Sequence, residues 1–319
     1  VTENKSNITI NKPEDYSLIF KNSSLDLSQE IGILHLWSLD SKSNDDLTIS
    51  DLETAQKLGC QSVLFLLQEL IKYPVKAKIW LTTQNSQIQF KNQNSKSKNN
   101  LAFSQTPLWG MGKVLSFEHP EYFGGLIDLS SNINDHEIEN LVNKITHHDP
   151  ETEIILRDNK IYGSRLTQIK DQSSTSKMPV SNSASYLITG GLGSLGLKIA
   201  QTLVENGAKT IILVGRNKQK NEAVKVIQEL QNQGVKIVVS QTDITNSKEL
   251  ETLFKQINET LPPLKGIIHS AGVLNDNVLI SQNWEQFSTV LATKIQGTCN
   301  LHQLTKNNPL EFLILFSSA

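Results

Sequence analysis

The sequence predicts an α/β protein built on doubly wound parallel sheets. Three observations carry that prediction. Short apolar runs of strand length recur along the chain, with stretches of three- and four-residue apolar spacing between them. Two of those helical stretches are closed by glycine, at Gly207 and Gly234. Finally, the apolar run at residues 186–188 leads into a glycine-rich turn, a helical pattern and a second apolar run. Strands that alternate with helices argue for parallel sheets.

Residues 1–170 read as a first domain. Residues 31–39 (IGILHLWSL) form a strand-like run, and 53–71 (ETAQKLGCQSVLFLLQELI) has helical spacing. Further strands are expected at 78–83, 124–129 and 153–157. Residues 85–100 are rich in Asn, Gln, Ser and Lys and read as a solvated loop. In WGMGKVL, Gly110 and Gly112 begin a G-x-G pattern, but Leu115 replaces the third glycine and Pro107 precedes it where a strand would be needed. That stretch reads as helix packing, and no cofactor is assigned to the first domain. His35, His119, His136, His147 and His148 show no metal-ligand spacing, so no metal is expected. Residues 171–184 (DQSSTSKMPVSNSA) are polar and serine-rich and read as a linker.

Residues 185–319 carry the chemistry. Gly191, Gly193 and Gly196 stand in G-x-G-x-x-G spacing between the strand at 186–188 and the helix at 197–207. One glycine permits a tight turn, the next lets a pyrophosphate approach the backbone, and the third lets helix pack on strand. The free amides and partial positive charge at the helix start favour phosphate. A strand at 210–214 completes the unit, and we read it as a dinucleotide site. Arg216 follows that strand, where an acid would hold the ribose hydroxyls of NAD; an arginine suits the extra phosphate of NADP. Asp243 ends the next strand (235–240) and can accept from an adenine amine, or simply build a turn. Asn246 and Glu249 are placed as a capping box for the following helix. A fourth strand lies in 266–272 (GIIHSAG), a long helix spans about 283–305, and a fifth strand lies in 312–318. On that helix Lys294 falls in one stripe with Phe287, Leu291, Thr298 and Leu301. An ammonium there either snorkels to solvent or is held near reacting groups, where it lowers the pKa of a proton donor. Ser317 and Ser318 end the last strand, beyond which ligands sit in such sheets.

Taken together, LITGGLGSLG, LVGRN, TDIT, HSAGVLND, ATKIQGTCNLHQLT and FLILFSSA resemble the ketoreductase domains of modular polyketide synthases, within the short-chain dehydrogenase/reductase superfamily. The resemblance extends into the first half through IGILHLWSLD and QTPLWGMGKVLSFEHPEYFGGLIDLS. It implies two Rossmann-like subdomains, the first structural and the second, incomplete at its C-terminal end, binding NADPH. By position it assigns Lys294 and Ser318 to catalysis. It assigns Thr189, Gly191, Leu192, Gly193, Ser194, Leu195, Gly196, Arg216, Asp243, Ile244, Ala271 and Gly272 to the cofactor, the last two beside its nicotinamide half. Leu274-Asn275-Asp276 is similar to the LDD signature of enzymes giving the D (3R) hydroxyl, with Asp276 retained and Asn275 departing. Leu315 stands where the opposite class tends to carry tryptophan. The implied reaction is reduction of a β-ketoacyl thioester tethered by phosphopantetheine to an acyl carrier protein, alongside other synthase domains. The family's proton-donating tyrosine lies about a dozen residues past the serine, whereas only Ala319 follows Ser318 here. Residues 1–319 alone are therefore expected to turn over weakly or not at all.

The bulk numbers narrow the alternatives. At 319 residues the chain suits about two domains, and its net charge of −2 offers no basic footprint for nucleic acid. No apolar run approaches a membrane span, and the N-terminal stretch is too polar for a signal peptide. With only Cys60 and Cys299, no disulfide framework or thiol zinc site is expected, and a cytoplasmic setting is the default. Two other readings stand beside the reductase. One is a non-catalytic nucleotide-binding or scaffolding module of a synthase. The other is a nucleotide-sugar epimerase or methyltransferase, of which Arg216 opposes the methyltransferase.

Overall fold

The computed structural model describes residues 6–21, 28–42, 46–88, 101–147, 150–168, 178–218 and 221–317. The chain divides into two compact units: residues 1–169 with 277–284, and residues 170–276 with 285–319.

Unit 1 holds strands β1 (Ile31–His35), β2 (Ala77–Gln84), β3 (Phe123–Leu129), β4 (Glu153–Arg157) and β5 (Lys160–Gly163). Its α-helices are α1 (Ser17–Lys21), α2 (Ile49–Gln56), α3 (Ser62–Leu70), α4 (Pro107–Glu118) and α5 (Asp135–Thr146). The strands lie in sequence order, parallel through β4, with β5 antiparallel at the edge. Every crossover here advances the sheet in one direction, and the reversal of strand order is found in unit 2. The antiparallel addition is a hairpin. Asp158 and Asn159, between the paired Arg157 and Lys160, have φ of 53° and 57°, the backbone a tight two-residue turn demands.

Two expected elements are divided. The run at 31–39 is a strand only to His35, after which Trp37–Asp40 forms a 3₁₀ turn tied down by the Ser38 hydroxyl on the Thr82 carbonyl. The helix expected over 53–71 begins earlier, at a Thr48–Asp51 capping box, and has a π-turn at Lys57–Gln61 between α2 and α3. There the Ser62 hydroxyl donates to the Leu58 carbonyl at 2.6 Å.

Gly112 in α4 is used for packing, because a Cβ would come 2.6 Å from Leu126 Cδ2. Trp109 Nε1 donates to Thr83 Oγ1 at 2.8 Å. Thr83 in turn donates to Asp128, which is fully buried and also takes bonds from Ser86, Gln87 and Arg157. A buried carboxylate needs such partners. This network lies at the carboxyl ends of β2 and β3. Of the polar stretch 85–100, residues 89–100 lie outside the described residues, as does His148.

Unit 2 is wound in both directions. Strands β6 (Ser185–Thr189), β7 (Thr210–Gly215), β8 (Lys236–Gln241), β9 (Leu264–His269) and β10 (Phe312–Leu315) form an all-parallel sheet in the order β10-β9-β6-β7-β8. Helices α6 (Ser194–Glu205), α7 (Asn221–Asn232), α8 (Ser247–Thr260) and α9 (Trp284–Thr305) connect them. Alternate strand residues feed two separate cores. Tyr186, Ile188, Ile211 and Leu213 pack with Leu203 of α6 and Ile227 of α7. On the other face, Leu187, Ile212 and Val214 pack with Phe254 of α8 and Leu301 of α9. Asn246 caps α8, accepting from the Lys248 and Glu249 amides, while Glu249 takes the Asn246 side-chain amide at 2.8 Å. From β6 the order runs one way through β7 and β8 and the other way through β9 and β10. The fork between β6 and β9 is thus a topological switch point, where sheets of this kind bind ligands.

Candidate functional site

Both sides of the fork approach closely. Gly190, with φ of 68°, follows β6, and a Cβ on it would lie 2.9 Å from both Cα and N of Ala271 after β9. No other residue fits that turn so cheaply. Gly190 stands outside the G-x-G-x-x-G spacing, and its signal in the sequence is the pair of successive glycines directly after a strand. The expected glycines divide the work. A Cβ on Gly191 would press on the Ile188 carbonyl at 2.8 Å, and one on Gly196 would meet Gly191 Cα at 2.6 Å and the Gly190 carbonyl. These two let the first turn of α6 sit directly on the loop. Gly193 is the N-cap residue of α6, and no side chain caps that end. Its early amides are therefore left for an anion.

A cleft of about 530 Å³ opens over this loop. Leu192 through Gly196 form its floor, Arg216 and Asp243 one wall, and Ala271 and Gly272 the other. Ile244 also lines it, whereas Thr189 is fully buried behind the loop. The structure adds Lys218, Glu222, Thr242, Ser270 and Thr293 to the lining. In sequence these are scattered single residues, and only the strand order gathers them.

Arg216 is half-exposed, its guanidinium 3.9 Å from Asp243 Oδ2, and Gln241 Nε2 donates to its backbone carbonyl at 2.9 Å. The other Asp243 oxygen accepts from the Thr245 amide and hydroxyl at 2.9 and 2.8 Å. Asp243 is therefore a turn aspartate and a cleft residue at once.

Lys294, on α9, turns toward the sheet. Its Nζ donates to the Phe316 carbonyl at 3.1 Å and lies 3.9 Å from where a Gly272 Cβ would stand. The Phe316 amide donates to the His269 carbonyl at 3.0 Å. The ammonium is thus held at the carboxyl ends of β9 and β10. Ser318 lies outside the described residues. Asp276 does not line the cleft; its neighbour Leu274 is 88% exposed.

His269, absent from the sequence-based set, is buried at the end of β9 with Nδ1 2.6 Å from Thr189 Oγ1. Burial, and then the Lys294 charge, push its pKa down to about 4, against a smaller opposing effect of the Thr293 backbone. Among the described residues no group of three or more His, Cys, Asp or Glu side chains gathers for a metal. No helix among them is long and apolar enough to cross a membrane.

Residues 184–319, which contain this whole cleft, match the model of the KR domain. They belong to the KR domain family. Over 272 residues, 81% of this chain, the KR-bearing chain is 31% identical to a 6-methylsalicylic acid synthase of Arthrobotrys oligospora, covering 15% of that protein. It is also 31% identical over 212 residues to polyketide synthase PksL of Bacillus subtilis, covering 66% of this chain and 5% of PksL. Among solved structures it is similar to the first ketoreductase of the tylosin PKS, with TM-score 0.79 and 26% identity over 96% of this chain and 62% of that one. An A1-type ketoreductase at 24% identity and TM-score 0.79, covering 96% of this chain and 61% of that one, shares the fold. The chain therefore spans 15% or less of these two curated relatives.

Proposed function

We propose that this chain is the NADPH-binding part of a polyketide synthase ketoreductase. It would reduce a β-ketoacyl thioester, presented by an acyl carrier protein, to the D (3R) hydroxyacyl form. The observation that carries this is the fork cleft itself, with a guanidinium at one wall and an ammonium beyond the other.

The residues present fit a dinucleotide phosphate. Gly191 and Gly196 leave no room for side chains, and the uncapped start of α6 offers amides to the pyrophosphate. Arg216, with Lys218 on the same cleft, would take the 2′-phosphate, since a forked guanidinium suits a dianion. Asp243 and Ile244 would border the adenine, and Ala271 and Gly272 the nicotinamide ribose. When bound, the reduced nicotinamide supplies a hydride. Lys294 would hold positive charge beside the reacting carbonyl, lowering the pKa of a neighbouring proton donor. By the family resemblance, Ser318 would orient that carbonyl and Asp276 would bias the face presented. Unit 1 would serve a structural role, with the Asp128–Arg157 network at the carboxyl ends of its central strands.

A proton donor still has to be supplied. Tyr186 is the single tyrosine of unit 2, and it is buried with its hydroxyl 2.6 Å from the Ser181 amide. This favours a second reading in which residues 1–319 bind nucleotide without turning over. The two separate in one assay, NADPH oxidation with a β-ketoacyl thioester surrogate, run on residues 1–319 and on the chain extended along its reading frame. The reductase reading expects the extended chain to be faster by roughly 10²–10⁴-fold, the usual worth of a general acid. Its product should be the D alcohol by chiral chromatography. NADPH binding with no turnover in the extended chain leaves the scaffold.

A further inference from the structure

His269 is a buried polar group that the proposed chemistry does not use. It forms the last register pair of β6 and β9, opposite Thr189, at the point where the two chains part around the cleft. Its Nδ1 stands 2.6 Å from Thr189 Oγ1. That same oxygen accepts the Ala271 amide at 3.3 Å, while the Thr189 carbonyl accepts the Ser270 hydroxyl at 2.7 Å. The Thr189 hydroxyl has one hydrogen to give, and Nδ1 is an acceptor in reach. The imidazole proton then belongs on Nε2, which is buried, and the Thr293 backbone beside the ring favours a proton there.

We propose that His269 is a positioning residue for the nicotinamide side of the cleft: its Nδ1 orients the Thr189 hydroxyl, which in turn fixes the Ala271–Gly272 backbone at the fork. This rests on the dinucleotide reading above. The effect is local. Sheet order puts Ala271 on the β9 side of β6 and Arg216 on the β7 side. Gly297 of α9 backs the ring, a Cβ there standing 3.7 Å from His269 Cε1, so the imidazole also separates the fork from the lysine-bearing helix.

Two measurements test it. Nitrogen-15 NMR of residues 1–319 at pH 7 should show His269 with a bare Nδ1 and a protonated Nε2; a protonated Nδ1 overturns the assignment with no variant needed. Calorimetry should then compare NADPH with adenosine 2′,5′-bisphosphate, which has the adenosine and phosphate but no nicotinamide. His269→Phe should raise the Kd for NADPH at least fivefold and leave the bisphosphate within twofold. His269→Asn, whose amide oxygen can accept from Thr189, should stay within twofold for both. No change in NADPH affinity in His269→Phe, or equal weakening of both ligands, overturns the proposal. Failure of the unmodified chain to bind either ligand removes the cofactor reading and the His269 role together. Normal binding with a protonated Nδ1 removes the His269 role alone.

Discussion

Gly196 carries a hard steric demand in the cleft, because the atoms around it are backbone and cannot rotate away. Gly196→Ala should lower NADPH affinity at least tenfold by calorimetry and reduce the melting temperature. Gly110→Ala is its control. Nothing lies within 4 Å of a Cβ there, and the residue sits inside α4, so the change should stabilise by about 0.5–1 kcal/mol. Two buried histidines set the acid limit. His35, whose Nε2 stands 2.7 Å from Ser62 Oγ, and His269 are each pushed down to about 4 from an ordinary 6.5, mainly by burial. As pH falls below about 6.5 the unfolded chain takes up protons that the folded chain refuses. Stability is therefore full above that pH and drops toward pH 4, by about 1.4 kcal/mol per pH unit for each histidine. Urea midpoints at pH 7.5 and 5.0 check this; equal midpoints contradict it. The phosphate loop and Arg216 were legible in sequence because their spacing is local. His269 was not, since its meaning depends on Thr189, eighty residues away.

At the scale of elements, α8 is held at its start by a single side chain. Asn246→Ala removes the acceptor for two orphan amides and should cost about 1 kcal/mol in chemical denaturation, without altering cofactor affinity. An unchanged midpoint would show the cap to be idle. β6, β7 and β8 were readable to within a residue or so because each is a short apolar run bounded by glycine or polar residues, whereas β9 begins before the expected 266–272 and ends at His269, and β10 ends at Leu315, short of the expected 318. β5 was not readable, because KIYG is short and largely exposed, and its one signal is the Asp158-Asn159 turn. The π-turn between α2 and α3 was equally hidden, since helical spacing continues through it.

For the whole molecule, the chain returns once from the second unit to the first. Residues 277–284 belong to unit 1, where Gln68 Nε2 donates to the Leu279 and Gln282 carbonyls at 2.9 and 2.7 Å and Glu118 accepts the Leu279 amide at 2.7 Å. Bonds across more than 160 residues leave no periodic trace, so no sequence pattern announces them. In the function proposed, Arg216 at the fork of unit 2 holds the 2′-phosphate of a nicotinamide cofactor. Calorimetry of NADPH and NADH against residues 1–319 and Arg216→Ala tests it most directly. NADPH should bind at least tenfold tighter than NADH, and the substitution should erase that preference while leaving NADH within about threefold. Equal affinity for the two cofactors in the unmodified chain, or a preference that survives the loss of Arg216, would contradict it.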